Sequence, residues 1–97
     1  MHKLILKPEA ISDLEKIYEY TFWNWGIVQA EKYQDELFIG MQSLLNHIEL
    51  GKKYPHSNLE YRKLHINRHL IFYREEHGNI VIVRLLHDRM DVSSWMK

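Results

Sequence analysis

The sequence predicts an α+β fold, a two-layer domain in which a helical hairpin packs on a mostly antiparallel four-stranded sheet in the order β-α-α-β-β-β. Three observations carry the prediction. Residues 68–91, RHLIFYREEHGNIVIVRLLHDRMD, set two runs rich in Ile, Val, Leu, Phe and Tyr around a polar turn containing Gly78, the pattern of a β-hairpin. Residues 8–50 repeat apolar side chains at helical spacing, with a break at Gly26. Residues 2–7 and 61–67 alternate polar with apolar, as short strands do. At 97 residues the chain reads as one domain, 1–97, able to bury roughly 60 to 70% of the surface it exposes when unfolded.

The first strand sets Leu4 and Leu6 against Lys3, Ile5 and Lys7, and Pro8 stops it. Pro8 suits the first position of a helix, where its missing N–H is not needed, and Glu9 complements the positive end of the helix dipole. Ile11, Leu14, Ile17, Tyr18, Thr21, Phe22 and Trp25 form the expected buried stripe of that helix. Each large member contributes roughly 1.5 to 3 kcal/mol when fully buried, enough to dock the helix on a sheet. Gly26 is expected to end it as a left-handed cap.

The second helix is expected over 27–50, with Ala30, Tyr33, Leu37, Met41, Leu44 and Ile48 facing inward and Gly51 closing it. Two helices joined by almost no loop must be antiparallel neighbours. Residues 52–60, holding Pro55 and Asn58, read as the one real loop. In the hairpin, a two-residue turn at His77 and Gly78 sets Tyr73 opposite Ile82, Ile71 opposite Arg84, Phe72 opposite Val83 and Leu70 opposite Leu85. That register makes Leu70, Phe72, Val81, Val83 and Leu85 a wholly apolar face. Residues 80–86 are apolar on both sides, which places their strand inside the sheet. The tail, with Ser93, Ser94, Trp95 and Met96, holds enough for one helical turn.

Thirteen basic residues balance thirteen acidic ones, so the bare charge exerts no long-range pull on nucleic acid. No helix carries basic residues along one face, and direct sequence-specific nucleic-acid binding is not expected. Without cysteine there is no disulfide, thiolate metal site or cysteine nucleophile. His65, His69 and His87 lack the HxxxH or HExxH spacing of a helical metal site, so neither metal nor cofactor is expected. The longest apolar runs fall far short of the ~20 residues that cross a bilayer. The expected location is the cytoplasm, with no membrane partner.

Pro8-Glu9-Ala10 with Asp13-Leu14, then Trp25-Gly26 with Gln29-Ala30 and Tyr33, then residues 68–74, RHLIFYR, and finally residues 86–91, LHDRMD, resemble the ParE branch of the RelE/ParE toxin superfamily. The resemblance spans nearly the whole chain, and the tail motif is its most specific part. It implies a bacterial type II toxin neutralised by a small ParD-like antitoxin with a ribbon-helix-helix domain, the two forming a hetero-oligomer. It also implies DNA gyrase as target, poisoned without chemistry by the toxin itself. Residues 87–96 are the region it points to for target engagement, with His87, Arg89, Met90, Asp91 and Trp95 as candidates. Lys7 stands where many relatives carry a capping serine, so the first helix is expected to fray at its start.

Two alternatives stand beside this reading. A ribonuclease like the RelE branch needs a base, an acid and cations for the charge that builds on phosphate. In that branch a catalytic arginine commonly stands where this chain has Leu70, and the tail tyrosine or histidine has only Trp95 near its place. Indole offers no proton acceptor, so no catalytic residue is assigned. An inactive relative that only binds antitoxin is the other alternative. For the antitoxin itself, the helical pair carries more apolar surface than one sheet can cover, the mark of a helix-in-groove partner. Tyr18, Phe22, Trp23, Trp25, Phe38 and Ile39 are the candidates.

Overall fold

A computed structural model describes residues 3–56 and 59–95. The strand β1 (Leu4–Leu6) leads through Lys7 into helix α1 (Pro8–Trp25), and helix α2 (Ile27–Ser43) follows after the single residue Gly26. Lys7 is extended and its side chain caps nothing; Pro8 sits at the first helical position as its lack of an N–H allows. Gly26 has φ 91° and ψ 175°, a positive-φ conformation that differs from the expected left-handed cap. Its N–H donates to the Phe22 carbonyl and its own carbonyl accepts from Ala30, so one residue ends α1 and starts α2.

Four further strands complete the sheet: β2 (Lys52–His56), β3 (Leu59–Ile66), β4 (His69–Glu76) and β5 (Asn79–His87). Their order is β1-β5-β4-β3-β2, with β1 parallel to β5 and the remaining pairs antiparallel. The sheet thus has five strands where the sequence predicted four. The added strand is β2, in the segment read as a loop; Pro55 fits there because an edge strand leaves one side unpaired. β5 lies between β1 and β4, as its two-sided apolarity required. His2, Asn58 and Met96 lie outside the described residues.

The helices cover one face of the sheet. The core there joins Ala10, Leu14, Leu37, Met41 and Leu44 to Ile71, Tyr73, Ile80, Ile82 and Leu85. On α1 the buried positions are Ala10, Asp13, Leu14 and Thr21, whereas Ile11 and Trp25 of the expected stripe are exposed. The helix is rolled so that small Ala10 meets the sheet and Asp13 reaches β5. α2 stops at Ser43, short of the expected Leu50, and a 3₁₀ turn follows at Ile48–Leu50. Tyr73 explains the break. Its buried hydroxyl donates to the Ile48 carbonyl (2.6 Å) and accepts the Gly51 N–H (2.8 Å), which holds this segment out of helical register. A side chain at Gly51 would collide with the Tyr73 ring, so the close approach requires glycine.

The hairpin turn forms at His77 and Gly78, both with positive φ, and Tyr73 pairs with Ile82 as expected. Beyond that point the expected register fails. A β-bulge at Val83 inserts one residue, so Phe72 pairs with Arg84, Ile71 with Leu85 and Leu70 with Leu86. Because a one-residue shift reverses the faces, Leu85 joins the helix-covered core while Leu70, Phe72 and Val83 lie on the other side. There they cluster with Tyr61, Leu86, Tyr54 and Val92.

Candidate functional site

The bulge and the short length of β1 create the site. The Lys7 N–H donates to Ile82 O at 3.0 Å, and past that bond β5 has no strand on its outer edge. Asp13 takes over. Its Oδ2 accepts the Leu85 N–H (3.0 Å) and the Arg84 Nε–H (2.7 Å), and its Oδ1 accepts from Arg84 Nη2 (2.9 Å). Both side chains are largely buried, and the Asp13 hydrogen bond raises the Arg84 pKa above its ordinary value. Arg84 also lies over the Trp95 ring, 5.3 Å from its centroid, and donates from Nη1 to the Trp95 carbonyl at 3.4 Å. The tail is thereby held on the open end of β5.

A cleft of about 810 Å³ opens at this end, between α1 and α2 on one side and the β4–β5 end with the tail on the other. Lys16, Tyr20 and Trp25 line it from α1, and Gln29 and Tyr33 from α2. Arg68, His69, His87, Arg89, Met90 and Trp95 close the far side. Tyr33 ties the two walls together: its hydroxyl accepts the Arg68 N–H (3.2 Å) and lies 2.6 Å from His69 Nδ1. Burial first, and the neighbouring His87 second, push the His69 pKa down to about 4, so at neutral pH its Nδ1 accepts the Tyr33 proton. Burial likewise raises the Tyr33 hydroxyl.

The three histidines His65, His69 and His87 do not gather at one point. The His69 and His87 rings stand 5.4 Å apart, while His65 Nε2 reaches Asp88 Oδ2 at 3.2 Å. Asp88 Oδ1 is 3.3 Å from His87 Nδ1, which already accepts the Arg89 N–H at 3.1 Å. Among the described residues no three of His, Cys, Asp or Glu converge to hold a metal ion. No helix among them is long and apolar enough to cross a membrane.

Of the tail candidates, His87, Arg89, Met90 and Trp95 meet in the cleft; Asp91 is exposed and accepts from Ser94 Oγ. The helical candidates do not share one surface. Trp23 is 80% exposed with its ring edge-on to Phe22, and Ile39 is 65% exposed. Tyr18 and Phe22 are half-buried, Phe38 packs against the main core, and Trp25 stands beside Tyr20 on the cleft wall. Sequence reasoning missed Asp13, Lys16, Tyr20, Tyr33 and Arg68 as cleft residues. Asp13 did leave a signal, since a charge within the face made by Ala10, Leu14, Ile17 and Thr21 announces a buried partner.

The family model described as ParE toxin of type II toxin-antitoxin system, parDE, matches residues 4–92. The chain belongs to the ParE toxin family. Toxin ParE1 of Mycobacterium tuberculosis is 37% identical over 91 residues, covering 93% of each chain. Toxin ParE1 of Caulobacter vibrioides is 33% identical over 88 residues, covering 89% of this chain and 88% of the relative. Among solved structures, a chain from the chromosomal ParDE TA system of P. aeruginosa superposes with a TM-score of 0.78 at 21% identity, covering 90% of this chain and 96% of the other. The conserved hypothetical protein HP0894 of Helicobacter pylori superposes with a TM-score of 0.52 at 19% identity, covering 90% and 94%. This ParE-family chain therefore shares both the sequence pattern of the curated toxins and the fold of the solved ones.

Proposed function

We propose that this toxin acts in the bacterial cytoplasm by occupying a surface of DNA gyrase, without catalysis, and that a ParD-like antitoxin neutralises it. A bound toxin that favours the covalent gyrase–DNA complex over the religated state shifts that equilibrium by its differential affinity for the two. The observation that carries the non-catalytic reading is the uncovered sheet face. Where a nuclease of this fold needs cations and proton carriers, Leu70, Phe72, Leu86 and Val83 make an apolar cluster. Of the two imidazoles lining the cleft, His69 has its Nδ1 engaged by Tyr33. Target engagement is assigned to His87, Arg89, Met90, Asp91 and Trp95, because four of these five meet in the cleft. Antitoxin binding is assigned to the helical hairpin, where Trp23 and Ile39 stay exposed.

Inducing the chain without an antitoxin tests the reading. The DNA-damage response and filamentation are expected before translation fails; rapid arrest of translation with cleaved ribosome-bound mRNA would favour the ribonuclease. No growth defect at all would favour an inactive antitoxin binder.

A further inference from the structure

We infer that the cleft binds a single strand of nucleic acid, gripping its phosphates and laying its bases against aromatic rings on two walls. This goes beyond the gyrase reading and stands without it. The chain is neutral overall, but the cleft is not. Lys16, Arg68 and Arg89 line it, and among the described residues no carboxylate lies within ion-pairing distance of any of them. The one carboxylate in the lining, Asp13, is neutralised by Arg84. Tyr20 and Trp25 on α1 are 63% and 64% exposed, and Trp95 on the facing tail is 47% exposed. Exposed rings beside a cationic groove are how proteins hold single strands, since every base has a face to stack.

The same features argue against an acidic amphipathic protein segment as occupant. Aromatic residues and Arg recur in protein interfaces too, but Lys is depleted there, and Lys16 stands among the lining cations. Of the exposed apolar side chains of the walls, Tyr20, Trp25 and Trp95 are flat rings and Met90 is unbranched; none is a branched aliphatic. The cleft volume, about 810 Å³, falls in the range of roughly 300 to 1,000 Å³ that holds small organic ligands, which suits a short stretch of nucleotides. A site built on phosphates and stacking tolerates sequence, so it is compatible with the absence of a base-reading helix.

The test is fluorescence anisotropy of the full chain with labelled oligo-dT and oligo-rU of about 15 nucleotides, and with a duplex of equal length. Saturable binding of the single strands, weaker binding of the duplex and quenching of tryptophan fluorescence are expected; the tighter of dT and rU identifies the strand as DNA or RNA. Three phosphate contacts give a salt slope of about −2, a loss of roughly 20-fold between about 50 and 200 mM salt. Arg68→Ala and Lys16→Ala, with unchanged thermal midpoints, each flatten that slope by about 0.7. Lys53→Ala, on the far edge strand β2, leaves it unchanged. Absence of saturable binding, equal binding of duplex, or binding indifferent to the cleft variants would overturn the inference. So would an acidic amphipathic peptide binding the cleft while the oligonucleotides do not. If Arg68→Ala loses strand binding yet cells still show gyrase-type damage, the gyrase reading stands on its own.

Discussion

The two halves of β5 are built from similar residues and are held in different ways. Ile80, Val81 and Ile82 are buried between β1 and β4, with backbone partners on one side from β4 and on the other from β1 and its flanking residues Lys3 and Lys7. Past the bulge at Val83, β4 is the only strand partner, and a carboxylate from α1 replaces β1 by accepting the Leu85 N–H and both arms of Arg84. The first half is a buried hydrophobic structure; the second is a polar substitute for a missing strand, and it opens a cleft. The difference teaches that the part of the chain that holds the fold and the part that opens the cleft are separable, although they share one strand.

Four variants or conditions sharpen that comparison. Asp13→Ala has the largest expected effect: it leaves Arg84 without its partner and the Leu85 N–H unsatisfied, costing about 3 to 5 kcal/mol in urea unfolding. A cost near that of an ordinary surface substitution would show that the second half does not need its carboxylate. Ile82→Ala follows, at about 3 kcal/mol, as a cavity in the strand-paired half. Acid comes third. His69 titrates at about 4 in the folded chain against an ordinary 6.5, so below about pH 6.5 the unfolded chain takes up the proton first and stability falls progressively down to about pH 4. Allowing for the partial exposure of this ring, the loss is about 1 to 2 kcal/mol, and His69→Asn removes it when thermal midpoints are compared across that range. Trp95→Ala is the smallest, about 0.5 kcal/mol in stability, yet it is expected to lower toxicity if the tail engages the target as proposed. Full toxicity of that variant would separate the cleft from the target surface.

Much of this was legible in the chain. Pro8, Gly26 and the two apolar periodicities mark both helices, and the two-sided apolarity of residues 80–86 places β5 inside the sheet. The bulge was not legible, because Val83 and Arg84 alternate as an unbroken strand would; a bulge is decided by what α1 presents to the edge. β2 was hidden by Pro55, which reads as a turn residue until an edge strand gives it a place. The end of α2 depended on Tyr73, thirty residues away in the chain and buried against it. Four of the five tail candidates converged because they lie close together along one segment. The other half of the cleft came from Lys16 and Tyr20, which α1 presents as ordinary surface residues, and from Tyr33, which reads as a residue of the inward face of α2. The packing of α1 and α2 beside the end of β5 brings them to face the tail.

The central claim is that the strand-paired half holds the fold while the open end and its tail engage the target. Purified gyrase with supercoiled DNA tests it most directly, comparing the full chain with a truncation that lacks residues 88–97, after antitoxin binding shows that both are folded. The full chain is predicted to accumulate covalent gyrase–DNA complexes and linear DNA, and the truncation to leave the enzyme undisturbed. Equal accumulation by the truncated form, or no accumulation by either, would contradict the account.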